Sequence, residues 1–127
     1  MLASALIVFV GGGLGAMARE LSMLALGRYS AALPFDIFVA NILASFLLGL
    51  VLGLHRARRA SDNASLLLST GFCGGMSTFS SFVYGTYSEM TKPGEFGLAM
   101  LYVLASLVVG YAVTWCGLRA ATSLRRA

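Results

Sequence analysis

Charged side chains are scarce in this sequence. Only 11% of its 127 residues are Asp, Glu, Lys or Arg, whereas 58% are hydrophobic. A soluble globular domain carries roughly 25% charged residues, so this chain has too few charges to cover a surface that faces water. The composition argues against an ordinary soluble protein and predicts that lipid surrounds most of the chain. At this length we expect a single domain over residues 1–127.

The few charged residues leave four long gaps. A helix needs about 20 apolar residues to cross the hydrocarbon core of a bilayer. Asp, Glu, Lys, Arg and His are all absent from Met1–Ala18, Ile37–Leu54, Asn63–Ser88 and Phe96–Leu118. The gaps predict an all-α, multi-pass membrane protein of four transmembrane helices. The first gap lacks the basic start and the cleavage site of a signal peptide, so we expect it to be retained.

Cysteine and histidine are too few for a disulfide framework or a metal cluster. Cys73 and Cys116 lie in apolar stretches without metal or redox spacing, and we interpret both as small buried hydrophobic residues. The one histidine, His55, lies in a predicted loop. Because no nucleophile–base pair is evident either, the sequence does not predict an enzyme or an organic cofactor.

Basic residues are distributed unevenly between the two membrane faces. Four crossings place the N-terminus, the second loop and the C-terminal tail on one side. That side holds six of the nine Lys and Arg residues, which are Arg56, Arg58, Arg59, Arg119, Arg125 and Arg126. Arg28 and Lys92 lie on the other side, and Arg19 lies near the end of helix one. The positive-inside rule then predicts that both termini face the cytoplasm, with the protein in the cell's inner or plasma membrane.

The third gap is long for a single crossing and contains a poor helix interior. Its middle has adjacent glycines, Gly74 and Gly75, followed by Ser77 and Thr78. A helix break in lipid is tolerated only where protein buries the freed backbone or a water-filled cavity solvates it. We therefore predict a broken third helix. From this stretch alone, an ion site and a flexible kink filled by neighbouring helices are both open.

Neutral hydrogen-bond donors and aromatic rings accompany the predicted break. Phe79 and Phe82 share one helix face, with Ser80 and Ser81 beside them. The two rings have positive edges that would stabilise an anion weakly. In helix two, Asn41 is either a ligand or one partner of an interhelical hydrogen bond.

Helix four adds two hydroxyl groups on one face, Tyr102 and Ser106, with Gly110 one turn further on. All five acids flank or leave the apolar stretches. A cation pathway would be expected to show acidic side chains or carbonyl rings, and a proton-coupled carrier an intramembrane acid. The set of neutral donors therefore favours an anion.

The order of these motifs resembles the Fluc (CrcB) family of fluoride channels. Residues 74–82 look like the family signature GG-x-[ST]-T-F-S-[ST]-F. Residues 11–19 resemble the first-helix pattern GG-x-x-G-x-x-x-R, and Val39-Ala40-Asn41 followed by Gly49 is similar to the second-helix element. The similarity extends over the whole chain in length, helix number and motif order.

The resemblance implies an antiparallel, dual-topology dimer with two pathways for passive fluoride export. The implied pathway residues are Asn41, Phe79, Ser80, Ser81, Phe82, Tyr102 and Ser106. A further polar position of the family falls at Gly110, which has no side chain. The resemblance also implies a structural sodium ion at the dimer interface, held by the backbone carbonyls of Gly74 and Ser77. Arg19 matches a first-helix arginine, for which we expect a structural or vestibule role.

Three positions or properties depart from the family pattern. Asp36 and Ile37 stand where the family often has Gly-Thr. A glutamate that often follows the signature is missing, and the nearest acid is Glu89. A dual-topology homodimer needs a weak preference for one orientation, and the uneven distribution of basic residues here is not weak. A homodimer and a heterodimer with an oppositely biased homologous subunit are therefore both open.

Two other functions compete with the channel. A four-helix small multidrug transporter would need a membrane-embedded glutamate in helix one, which has no acid before Glu20. A non-transporting membrane assembly subunit would tolerate exchanges at Asn41, Phe79 and Phe82 without loss of ion flux.

Overall fold

A computed structural model describes residues 1–30 and 33–124, with side chains up to residue 123. Arg125 and Arg126, two of the six basic residues on the predicted cytoplasmic side, lie outside the described residues. In chain order the elements are α1 (Leu2–Leu26), a 3-10 turn (Gly27–Tyr29), α2 (Phe35–Arg56), α3 (Asp62–Ser65), a π-helical segment (Leu66–Cys73), α4 (Gly74–Met76), α5 (Phe79–Met90) and α6 (Phe96–Leu124). No strand occurs in these described ranges.

Four spans are long and apolar enough to cross a membrane, namely Leu2–Tyr29, Phe35–Arg56, Asp62–Met90 and Phe96–Ser123. The prediction of an all-α protein with four transmembrane helices is therefore confirmed. Asp62–Met90 is called the third span below, and it comprises α3, the π-helical segment, α4 and α5. α2 continues through His55 and Arg56, which the sequence analysis placed in a loop.

The third span is broken, but not at the glycines. Gly74 and Gly75 lie within α4, and the chain leaves helical geometry only at Ser77 and Thr78. The predicted break in the third helix is confirmed, and within the stretch from Gly74 to Thr78 it falls at the Ser-Thr pair. A methyl group on Gly75 would overlap the backbone carbonyl of Gly12 in α1.

Small residues bring the spans together in two pairs. α1 packs against the π-helical segment and α4, and α2 packs against α6. A methyl group on Gly15 of α1 would overlap the carbonyl oxygen of Phe72, and one on Gly49 of α2 would overlap that of Thr114. Backbones can approach this closely only where a side chain is missing, as expected for helices packing in lipid.

The buried core is thin, because apolar side chains also point outward. Ala44, Cys73 and Met76 form the buried cluster, whereas Phe9 of α1 is 77% exposed. Cys73 is buried as expected, but Cys116 is exposed on α6. The prediction for Cys116 failed because an apolar sequence in lipid does not distinguish the inner face of a helix from the outer one.

Replacing Gly15 with Ala should destabilise the protein, since the new methyl group has no space against the Phe72 backbone. Overpacking of this kind costs about 1–3 kcal/mol. Gly13→Ala is the matched control, because nothing lies within 4 Å of its added methyl group. Thermal unfolding in detergent should show a lower midpoint for Gly15→Ala alone. Equal midpoints for the two variants would contradict the packing of α1 described here.

Candidate ion pathway

Ser77 and Thr78 form an extended link between the two halves of the third span. Ser77 has φ −74° and ψ 152°, and Thr78 has φ −146° and ψ 112°. The helical bonding pattern stops here: Ser77 N–H still donates to the Cys73 carbonyl at 2.9 Å, whereas Thr78 N–H donates to a side chain. Backbone groups within an apolar span are thereby freed from the helix, and each needs another partner.

Asn41 of α2 provides partners for both backbone groups of Thr78. Its Oδ1 accepts from the Thr78 N–H at 2.7 Å, and its Nδ2 donates to the Thr78 carbonyl at 3.3 Å. Of the two interpretations of Asn41, the interhelical hydrogen bond is therefore present. The amide has two N–H groups, so one remains for another acceptor.

The hydroxyl of Thr78 links the break to the start of α5. Its Oγ1 accepts from the Ser81 N–H at 3.2 Å, which caps the helix, and donates to Ser81 Oγ at 3.0 Å. It also lies 3.3 Å from Ser80 Oγ. The two serines predicted from the sequence are thus joined through a threonine that the sequence analysis did not single out as a site residue.

Arg19 of α1 holds the other side of the break. Its guanidinium donates to the Gly75 carbonyl at 3.1 Å, and it also lies 3.5 Å from the Glu20 carboxylate. A cation at the end of a helical segment stabilises the exposed carbonyls there. Of the two roles expected for Arg19, this contact provides the structural one.

A groove of about 280 Å³ runs beside the break. Its lining combines residues of α2, the break, α5 and α6, which are Asn41, Ser45, Ser77, Thr78, Phe79, Phe82, Ser106 and Leu107. None of these side chains is charged. The groove therefore offers amide and hydroxyl groups beside aromatic rings, in a span that is otherwise apolar.

The groove contains only part of the predicted set. Asn41, Phe79, Phe82 and Ser106 line it directly. Ser80 and Ser81 reach it through Thr78, and Tyr102 lies behind Phe82. Thr78 and Ser45 also line the groove but were not among the predicted pathway residues. The family signature already contained Thr78, and the four-residue spacing from Asn41 could have indicated Ser45.

Aromatic rings form a row from the break into the protein. The centroids of Phe79 and Phe82 are 6.2 Å apart, and those of Phe82 and Tyr102 are 5.5 Å apart. Phe38 of α2 completes the row at 6.5 Å from Tyr102. Phe79 is 79% exposed at the open end, whereas Tyr102 is only 3% exposed.

The two hydroxyl groups of α6 differ in their hydrogen bonding. The Tyr102 hydroxyl is buried and has no partner within residues 1–30 and 33–124. Ser106 Oγ donates to the Tyr102 carbonyl at 2.7 Å, so its proton is engaged within α6 in this conformation. A serine inside a helix commonly returns its proton to the carbonyl four residues earlier.

Gly110 faces α2 rather than an empty space. A methyl group built on it would lie 4.0 Å from Ser45 Oγ. The hydroxyl of Ser45 therefore lies near the place where the family pattern expects a polar side chain on α6.

A second cavity of about 230 Å³ lies on the other side of Ser45. Its lining includes Ser69, Cys73, Gly74 and Ser77. In the part of the chain that the structure describes, no backbone N–H bonds the Gly74 or Ser77 carbonyl at the break. No group of three His, Cys, Asp or Glu residues there is suited to a metal. Beside the Cys73 thiol, the polar atoms of this lining are neutral oxygens, which suit a hard cation.

Glu89 lies near the end of α5 and does not line the groove. Its side chain is buried, and one carboxylate oxygen accepts from Lys92 Nζ at 2.7 Å. The nearest acid after the signature is thus engaged in an ion pair.

Four membrane-spanning helices, with the third broken beside an uncharged polar groove, define a small polytopic membrane protein with a discontinuous helix. Its family follows from a sequence match: the family model described as CrcB-like protein, Camphor Resistance (CrcB) covers residues 6–118. The chain belongs to this family.

Individual relatives carry more specific names. The chain is 45% identical over 113 residues to "Fluoride-specific ion channel FluC 3" of Yersinia pseudotuberculosis, covering 89% of this chain and 84% of that one. It is 40% identical over 114 residues to "Fluoride-specific ion channel FluC" of Gloeothece citriformis, covering 89% and 92%. "Fluoride-specific ion channel FluC 1" of Brucella abortus is 39% identical over 120 residues, but the chain spans only 44% of that relative.

Replacing Asn41 with Ala should leave both backbone groups of Thr78 without their partner. An unsatisfied buried polar group costs about 1–3 kcal/mol, so the unfolding midpoint in detergent should fall. Asn63→Ala in α3 is the matched control, because Asn63 is exposed and donates no side-chain hydrogen bond in the described structure. An unchanged midpoint for Asn41→Ala would mean that water, rather than Asn41, satisfies the break.

Proposed function

We propose that this chain forms a fluoride-selective channel of the inner membrane. The observation that carries the proposal is the uncharged groove at the helix break, lined by neutral donors and phenylalanine rings in a chain of the CrcB family. The names of the relatives in Yersinia and Gloeothece support fluoride as the ion. Fluoride enters cells as a neutral weak acid and is trapped after it ionises, so a passive pathway lowers the cytoplasmic concentration.

The residues of the groove have complementary roles in this proposal. The edges of Phe79 and Phe82 offer a weakly positive surface that stabilises an anion without trapping it. The remaining N–H of Asn41 provides a stronger donor in the groove, and the buried Tyr102 hydroxyl, which has no partner in the described structure, provides another behind Phe82. Ser80, Ser81 and Ser106 supply exchangeable hydroxyl groups along the path, and Ser45 and Thr78 join them.

A second copy of the chain completes the pathway in this proposal. Thr70, Ser77 and Ser80 are exposed polar residues of the third span. Lipid against these groups would leave them unsatisfied, which is unfavourable in the hydrocarbon core. An antiparallel, dual-topology dimer would cover them and would give two equivalent pathways. The charge bias of the chain keeps two forms of this dimer open, a homodimer and a heterodimer with an oppositely biased subunit.

A structural sodium ion fits the carbonyl groups at the break. Within the described residues, Gly74 and Ser77 each offer a backbone oxygen that takes no backbone N–H, and the same two oxygens from a second chain would add to the set. Sodium would neutralise the dipoles of these carbonyl groups and hold the two chains together. Its role here is structural, since the conducted ion is an anion.

The two competing functions have less support. No acid precedes Glu20 in α1, and Glu20 lies 3.5 Å from Arg19 in the last third of the helix, so α1 lacks the acid at mid-helix that a small multidrug transporter requires. An assembly subunit without transport activity requires no polar groove. A measurement of ion flux distinguishes it from a channel, because such a subunit would conduct no ions.

Fluoride efflux from liposomes tests the proposal. The chain purified alone is reconstituted, and efflux is followed with a fluoride-selective electrode, with chloride measured in parallel. We expect fast fluoride efflux without chloride efflux. Folded protein without fluoride efflux, alone and together with an oppositely biased homologous subunit, would contradict the channel.

The same assay compares Phe82→Ile with Phe9→Ile. The first change removes a ring that lines the groove, and the second removes an exposed ring of α1 outside it. We expect Phe82→Ile alone to slow fluoride efflux about fivefold, because one ring edge contributes on the order of 1 kcal/mol. Equal rates of fluoride efflux for the two variants would show that the ring of Phe82 does not contribute to conduction.

A further inference from the structure

A basic cavity lies at the membrane end where α2 and α6 finish. It has a volume of about 290 Å³ and is far along both helices from the groove. Its lining consists of Gly53, Arg56, Trp115, Leu118, Arg119 and Thr122. Gly53 contacts Leu118 and Ala121 closely enough that an added methyl group would need to displace them, so the two helices form a tight floor beneath the two arginines.

Neither arginine of this cavity is neutralised by another side chain among the described residues. Within residues 1–30 and 33–124, Arg56 and Arg119 make no ion pair and no side-chain hydrogen bond. The Arg119 guanidinium instead stacks on the Trp115 ring, 4.2 Å from its centroid. Stacking fixes the orientation of the guanidinium and leaves its N–H groups available to an oxyanion.

The cavity combines this charge with an apolar wall. Trp115 and Leu118 belong to the apolar stretch of α6, and Trp115 is 49% exposed. Tryptophan favours the interface between hydrocarbon and headgroups, which places Arg119, one turn later, at headgroup level. A free phosphate ion would bind the guanidinium groups but would make no favourable contact with the apolar wall.

The charge continues beyond the cavity. Arg56 also lines an adjoining cavity of about 670 Å³, together with His55, Arg58, Arg59 and Asp62. Asp62 is the one acid of that lining. The sequence adds Arg125 and Arg126 after α6. Basic pockets between transmembrane helices commonly bind the headgroups of anionic lipids.

We propose that Arg56, Arg119 and Trp115 form a binding site for an anionic phospholipid. The phosphate accepts hydrogen bonds from the two guanidinium groups, and the upper part of an acyl chain packs on Trp115 and Leu118. General topology signals explain the number of basic residues on this side, but they do not require two unpaired arginines to share one cavity with a stacked tryptophan. The site is independent of the proposed transport activity.

Lipid retention tests the proposal on the full chain. The protein is purified in mixed micelles that contain phosphatidylglycerol and phosphatidylcholine, and bound lipid is counted by native mass spectrometry. We expect preferential retention of phosphatidylglycerol by the wild type. Arg56→Gln and Arg119→Gln should each reduce that preference about fivefold, since one arginine near the headgroups contributes about that factor.

Arg28→Gln is the charge-matched control. Arg28 also stacks on an aromatic ring, Tyr29, at 4.8 Å from its centroid, but it does not line the cavity and lies at the other membrane face. We expect it to retain phosphatidylglycerol as the wild type does. An equal loss of phosphatidylglycerol retention in all three variants would show that the lipid responds to overall positive charge rather than to a defined site, and would overturn the proposal.

Thermal unfolding separates lipid from free anion and confirms folding. In phosphatidylcholine alone Arg119→Gln and Arg28→Gln should melt alike, because each loses one stacking contact with a neighbouring aromatic ring, and Arg56→Gln should melt as the wild type does. Phosphatidylglycerol should raise the wild-type midpoint more than those of Arg56→Gln and Arg119→Gln. Soluble glycerol phosphate at the same concentration should raise none of them. A wild-type shift as large with glycerol phosphate as with the lipid would mean that the cavity binds a free phosphate and would overturn the lipid site.

Discussion

The pair of hydrogen bonds between Asn41 and Thr78 is the interaction on which the broken span depends. A bilayer offers no water to a backbone that leaves helical geometry. The Asn41 side chain accepts from the Thr78 N–H and donates to its carbonyl, so α2 replaces what the interrupted helix cannot supply. Arg19 does the same for the Gly75 carbonyl. With the backbone satisfied, α5 can begin at Phe79, and its rings and hydroxyl groups meet α6 across one groove.

The packing of α1 explains why the break occurs after the glycines rather than among them. Gly75 lies against the backbone of Gly12, and Gly15 lies against that of Phe72. These contacts hold the first half of the third span in helical form, at a distance that no side chain would permit. Arg19, on the same helix, then reaches the end of that half. The first helix thus fixes the position of the break, and the second helix stabilises its backbone.

Much of this arrangement could be predicted from the sequence, because lipid imposes simple constraints. The gaps between charged residues located the four spans, and the residues after Gly74 and Gly75 indicated a break. The break falls at the Ser-Thr pair that follows the glycines, since the glycines themselves serve a contact with α1 that is distant in sequence. The exposure of Cys116 was missed because hydropathy does not tell a lipid-facing side chain from a buried one. Ser45 was missed although it lies one turn after Asn41 on the same helix face, because a single serine in an apolar helix does not by itself indicate a site.

The most direct test of the account is to remove the Thr78 hydroxyl, which joins Ser80 and Ser81 to the break. Thr78→Val keeps the shape and the backbone bonds to Asn41, whereas Thr78→Ser keeps the hydroxyl. Fluoride efflux from liposomes should persist in Thr78→Ser and should be lost in Thr78→Val, with both proteins folded. Efflux as fast in Thr78→Val as in the wild type would contradict an ion path through the hydrogen-bonded break.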